Sequence, residues 1–205
     1  MEKNEKHSLV DKGKYFELVF DDIKDEAIFK MLPGGGPSDE LKGYATYSLP
    51  ATWPNVPIVE SGPRRGKIRN NLLSQTMTLF FNLDLDSDLG DFELEEAFYT
   101  AKMLECGSEE FDIETVEKFT IPKGVVVRLI NLYGKATVDG LFEMALNALG
   151  GNSIGDLSYS DITHSVDAIN RGFDRCRAVV SEAEYNNVIA NLTEEEPIFS
   201  IYPVP

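Results

Sequence analysis

The sequence predicts a mainly α-helical fold, a helical bundle with a short N-terminal strand element and a long proline- and glycine-rich connection. Three observations carry that prediction. Apolar residues recur at helical spacing through the second half of the chain, capping residues stand before those runs, and glycines stand after them.

Taken in order, residues 1–13 are polar and charged and read as a flexible leader. The run "KYFELVF" concentrates Tyr15, Phe16, Leu18, Val19 and Phe20, a strand composition. In "DEAIFKML", Ala27, Ile28, Met31 and Leu32 have helical spacing, and "PGGGP" ends the element because neither proline nor glycine extends a helix cheaply. From Leu41 to Lys67, Pro50, Pro54, Pro57 and Pro63 mark an irregular surface connection. The next segment supports two readings. Met77, Leu79, Phe81, Leu83 and Leu85 alternate with polar residues as in a strand, although Phe80 breaks the pattern. Ile68, Leu72, Gln75, Leu79 and Leu83 follow one helical face, with Asn70 or Asn71 as the start; the helical reading is preferred through about residue 82.

A bundle is expected over 121–192. "FTIPKGVVVRLINLYG" opens at Pro122, repeats Val125, Val126, Leu129 and Ile130, and closes at Gly134. "ATVDGLFEMALNALGG" starts at Thr137 and ends at Gly150 and Gly151, so the two helices should pack together. Ser158 and Asp161 form a capping box before an apolar stripe of Ile162, Val166, Ile169, Phe173, Cys176 and Val180. Ser181 and Glu184 repeat the box before Tyr185, Val188, Ile189 and Leu192.

The 205 residues are 42% apolar, enough for a sizeable core, and carry 19 basic against 35 acidic side chains, a net charge of −16. Such a field repels polyphosphate backbones and anionic membranes, so nucleic acid is a poor partner. No apolar run reaches the roughly 18 to 20 residues that cross a bilayer, and membrane insertion is not expected. Cys106 and Cys176 fit neither a zinc knuckle nor a CxxC site. In an oxidising compartment they permit one bridge, closing a loop of about 70 residues and stabilising the fold by roughly 4 kcal/mol. In a reducing one they remain two thiols.

In "DLDSDLGDFELE", Asp84, Asp86, Asp88 and Glu95 hold the first, third, fifth and twelfth places of a calcium loop. Leu89 stands where the turn needs glycine, Gly90 comes one residue late, and Asp91 replaces an apolar residue. These departures favour a solvated acidic turn, with weak Ca2+ binding as the alternative and no other cofactor expected. The rings of Tyr44, Tyr47 and Trp53 suit stacking on a glycan, but pinning a long loop to the core is the preferred account. A hydrolase has little support. The histidines are His7 in the leader and His164 in a predicted helix, three residues before Asp167, so a contact across neighbouring turns is easy and a triad has no sequence support. "PGGGP" lacks the strand and the Lys-Ser pair of a phosphate loop.

The tail "FSIYPVP" resembles the opening of the C-terminal sorting domain of type IX secretion cargo in Bacteroidota, with its Tyr-Pro-x-Pro core at Tyr202, Pro203, Val204 and Pro205. "GKYFELVF", "FKMLPGGGP", "LLSQTMTLFFNLDLD", "TVDGLFEMALNALGG" and "LSYSDITHSVDAINRGFDRC" together resemble a poorly characterised module found before the sorting signal of large secreted surface proteins. Related modules favour alanine where this chain has Ser74, Thr76 and Thr78, which implies helix there. The resemblance implies an extracellular or cell-surface address and brings no catalytic residues. It also sets the expected organisation: a leader at 1–13, one mainly helical domain at 14–196, and at 197–205 a linker entering a truncated sorting domain. The expected role is non-catalytic, structural or adhesive, with a calcium- or glycan-binding module as the alternative. Expected partners are other domains of the same longer polypeptide and the secretion machinery.

Overall fold

The computed structural model describes residues 6–10, 16–21, 30–41, 45–49, 58–108 and 110–194, with 6–10, 16–21, 45–49 and 191–194 described by backbone alone. Two compact units divide the chain: Met1–Glu96 with Thr120–Arg171, and Ala97–Phe119 with Gly172–Pro205.

In the first unit, β1 (Lys6–Val10), β2 (Phe16–Asp21) and β3 (Ala45–Leu49) form a sheet in that order. Strand β1 runs antiparallel to β2 with Ser8 opposite Val19, and β3 runs parallel to β2 with Tyr47 opposite Leu18. The expected strand in "KYFELVF" is β2. Of the helix expected over "DEAIFKML", Lys30 and Met31 are helical and 22–29 lie outside the described residues.

The ambiguous segment is helix α1 (Asn71–Leu85). Asn70 caps it, its Oδ1 accepting from the Leu73 N–H at 3.1 Å. Leu72, Leu73, Thr76 and Met77 are buried one turn apart, whereas Leu85, last of the alternating series, is 85% exposed. The hydroxyls of Thr76 and Thr78 donate to the carbonyls of Leu72 and Ser74, so these polar residues stay satisfied inside the helix.

Helices α2 (Lys123–Tyr133), α3 (Val138–Leu149) and α4 (Tyr159–Gly172) complete this unit's helical part. Gly134 ends α2 at φ +82, a left-handed conformation that favours glycine. Thr137 caps α3, its Oγ1 accepting from the Gly140 N–H at 3.2 Å. Helix α3 packs against both α1 and α2. Leu72, Met77, Leu129, Leu141, Ile162 and Ile169 lie fully buried or nearly so, each contributing roughly 1.5–3 kcal/mol of hydrophobic stabilisation. Ile130, expected on the buried face of α2, is instead exposed.

Between α1 and α4 the packing is also polar. Asn170 Nδ2 donates to the Gln75 carbonyl and side chain, Asn82 Nδ2 donates to Asn170 Oδ1, and Gln75 Nε2 donates to Asp167 Oδ1. A one-residue slip would leave these amides without partners, so they fix the register of the two helices.

The second unit overturns the expectation of a mainly helical bundle. Strands β4 (Ala97–Met103), β5 (Phe111–Thr120) and β6 (Arg177–Val180) form a sheet in the order β5–β4–β6, with β6 antiparallel to β4, and α5 (Glu182–Glu194) packs on β4. The architecture is therefore mixed α and β, with two sheets as well as helices. Periodicity missed β5 because Asp112, Glu114, Glu117 and Lys118 interrupt its apolar residues. The predicted stripe from Ile162 to Val180 also breaks. Helix α4 stops at Gly172, where a Cβ would lie 2.5 Å from a Phe98 ring carbon. Arg175 and Cys176 then turn the chain at φ +54 and +58, and Val180 belongs to β6.

Cys106 and Cys176 form a disulfide with their Cα atoms 5.2 Å apart, tying the β4–β5 turn to the entry of β6. Beside it the Met103 N–H donates to the Cys176 carbonyl at 2.9 Å. One buried cluster of this sheet is Tyr99, Ala101 and Val180, with Phe111, Val116 and Tyr185 packed partly against it, and a second apolar contact stacks Phe98, itself buried, on Phe119 and Phe173. Arg177 joins the three strands, donating to Thr100 Oγ1 and to the carbonyls of Thr100 and Thr115, each at 2.8 Å, and pairing with Glu117 at 3.8 Å. Its side chain is 8% exposed, so these charge-assisted bonds act at low dielectric. Arg177→Ala is expected to destabilise the protein by about 3 kcal/mol in urea denaturation, with Arg177→Lys recovering only part because it lacks the planar fork.

Candidate functional site

An open polar cleft in the first unit joins the glycine-rich segment to the starts of two helices. "PGGGP" reaches this position through backbone bonds: the Gly35 N–H donates to the Ile68 carbonyl at 2.9 Å, and the Ile68 N–H to the Met31 carbonyl at 3.1 Å. Gly34 donates to Ser74 Oγ at 2.7 Å and lies so close to α1 that a Cβ would stand 2.7 Å from that of Ser74. Glycine is required there by space, and at Gly36 also by its φ of +93. The Arg64 guanidinium donates to the Gly34 carbonyl, Lys67 Nζ to the Leu32 carbonyl, and Asn70 Nδ2 to the Asp39 carbonyl.

The cleft encloses about 450 Å³ and is lined by side chains including Ser38, Asn71, Ser160, Thr163, His164 and Asp167. Thr163 donates to the Tyr159 carbonyl at 2.7 Å and lies 2.8 Å from Ser38 Oγ, which leaves the Ser38 proton to bridge the two hydroxyls. His164 is exposed, with Nε2 3.3 Å from Thr120 Oγ1. Asp167 accepts from Gln75 and pairs with Arg171 at 3.9 Å, so it is engaged in helix packing. This lining can hold hydroxyls and amides of a polar ligand, but Ser38 and Thr163 are bonded to each other and not to the imidazole. Burial, then the charges of Glu40 and Asp39, push the Tyr159 phenol above its ordinary range, which keeps it neutral. The sequence offered Ser158 and Asp161 as a cap in "LSYSDITH"; it gave no sign that Thr163 meets Ser38 across the fold or that Ser160 lines the same cleft.

The cap itself is as expected. Asp161 accepts from the Ser158 N–H and hydroxyl, and its own N–H donates back to Ser158 Oγ. Glu184 and Ser181 repeat this at the start of α5.

The other candidates scatter. Asp84 is exposed on the last turn of α1, Asp86 caps a 3-10 turn at Ser87–Asp91 by accepting from the Asp88 N–H, and Glu95 is exposed beyond the Glu93–Thr137 bridge. Gly90 serves packing: a Cβ there would stand 2.5 Å from the Asp139 carboxylate. Among the described residues no three His, Cys, Asp or Glu side chains are grouped to hold a metal ion. Tyr47 stands in β3, while Tyr44 and Trp53 lie outside the described residues, as do Tyr202–Pro205. Cys106 and Cys176 are joined. Among the described residues no helix is long and apolar enough to cross a membrane.

No family model, curated protein or solved structure matches the chain.

The Ser158 hydrogen bonds, helped by the His164 charge, hold the Asp161 carboxyl below its ordinary value of 3.8. A depressed carboxyl contributes stability above its unfolded pKa and loses it as pH falls through the folded one. The wild type should therefore exceed Asp161→Asn in stability at neutral pH, with the gap closing in acid as pH falls below the ordinary carboxyl value of 3.8. Thermal unfolding of both proteins across that range measures the gap.

Proposed function

We propose that the chain is a non-catalytic module of an exported surface protein, with a structural or adhesive role in holding or presenting neighbouring domains of the same polypeptide. The observation that carries this reading is the Cys106–Cys176 disulfide, because such bonds persist in oxidising compartments and are rare where glutathione keeps thiols reduced. The strongly acidic surface fits a module that avoids nucleic acid and anionic lipid. The cleft supports the same reading, since its hydroxyls bond one another and its carboxylate serves helix packing. The type IX sorting resemblance of "FSIYPVP" adds the surface address.

A second reading, binding of a polyhydroxylated ligand such as a glycan, is favoured by the hydroxyl- and amide-lined cleft of about 450 Å³. It is compatible with an adhesive role and places the contact at Ser38, Asn71 and Thr163 instead of the aromatic rings.

Fractionation of cells expressing the native gene tests the address. The expected result is a chain on intact cells or in the medium, open to external protease, with no thiol alkylated until reductant is added. A chain confined to the cytosol with both cysteines alkylated would overturn the proposal.

A further inference from the structure

A second cavity, of about 210 Å³, lies elsewhere in the first unit, between α2, α3 and the loop that follows α3. Its lining is divided. Leu132, Tyr133, Met144 and Ile154 give it apolar walls, while Arg128 and Ser153 bring hydrogen-bond donors.

Arg128 is the anomaly. In a chain with 35 acidic side chains, no carboxylate among the described residues pairs with it, and its Nε is buried without a hydrogen-bond partner. A buried guanidinium N–H without an acceptor is unfavourable and rare in a folded protein. The surroundings hold it in place without satisfying it. The Asn152 N–H donates to the Asn147 carbonyl, Asn152 Nδ2 donates to Asn147 Oδ1, and Asn147 Nδ2 donates to the Glu143 carbonyl, which ties the loop to α3. Gly155, at φ +72, passes beside the guanidinium, where a Cβ would stand 3.5 Å from Arg128 Cζ. Ser153 Oγ accepts from the Gly155 N–H at 3.4 Å and keeps its own proton to donate.

We infer that this cavity binds a carboxylate carrying a compact apolar group, with the carboxylate accepting from Arg128 and the apolar group against Leu132, Met144 and Ile154. A planar carboxylate matches the guanidinium in two parallel bonds and brings beside it the negative charge that no described carboxylate supplies. The net charge of −16 disfavours polyanions, and the apolar walls give a phosphate nothing to pack, so a monocarboxylate fits best. This chemistry is shared by a free branched-chain acid and by the C-terminus of a peptide ending in an apolar residue.

Calorimetric titration of the intact chain with 4-methylpentanoate, 4-methylpentanamide, and Gly-Gly-Leu with a free or amidated C-terminus tests the site. NMR of the Arg128 Nε–H reports occupancy in the wild-type protein, independent of any variant. Saturable binding of the acid, of the free peptide or of both is expected, with the amides at least about tenfold weaker and Arg128→Gln weakened similarly. Binding of the acid alone assigns a small-molecule ligand, and binding of the free peptide assigns a chain terminus. Overturning results are an Nε–H signal that neither carboxylate shifts at about 10 mM, or amides that bind as tightly as the acids.

Discussion

The Cys106–Cys176 bond is the constraint on which the second unit depends. A three-stranded sheet carrying one helix packs Tyr99, Ala101 and Val180 in one cluster and Phe98, Phe119 and Phe173 in another, and a unit this small draws a large share of its stability from a covalent staple. Closing a loop of about 70 residues removes roughly 4 kcal/mol of unfolded-state entropy, comparable with the whole stability margin of a small domain. Arg177 adds direction to that cross-link. Its bonds to Thr100 and Thr115 set strand order, and the left-handed turn at Arg175 and Cys176 brings the cysteine to its partner.

The first unit is held differently. Its helices share a buried apolar core, and the amides of Gln75, Asn82 and Asn170 lock α1 to α4. The glycine-rich segment is legible in that setting. Gly34 permits contact with Ser74, Gly36 supplies the turn, and the pair places Ser38 at the cleft. The two cavities described thus sit where irregular backbone crosses helix starts or ends, while the helices themselves supply rigidity.

Local signals in the sequence carried as far as local physics reaches. Asn70, Thr137, Ser158 and Ser181 act as helix caps because capping needs only neighbours three residues away. The glycine at 134 ends α2 for the same reason. The sheet of the second unit was invisible because its strands pair across long separations, as Tyr99 with Val180, and because β5 carries charge on a half-exposed edge. For that reason a mixed fold read as a helical bundle. The calcium pattern at Asp84, Asp86 and Asp88 matched a spacing, yet spacing holds only within a loop, and here a helix end and a 3-10 turn occupy it. The significance of Arg128 was equally hidden, since an arginine in "VVVRLINLY" looks ordinary until the absence of a partner is seen in three dimensions.

Amide hydrogen exchange of the intact chain before and after reduction of the disulfide tests the dependence most directly. The account predicts that amides of β4, β5 and β6 lose protection on reduction while those of α1, α3 and α4 retain theirs. Unchanged protection in the sheet would show that packing and Arg177 suffice without the covalent bond, and would contradict it.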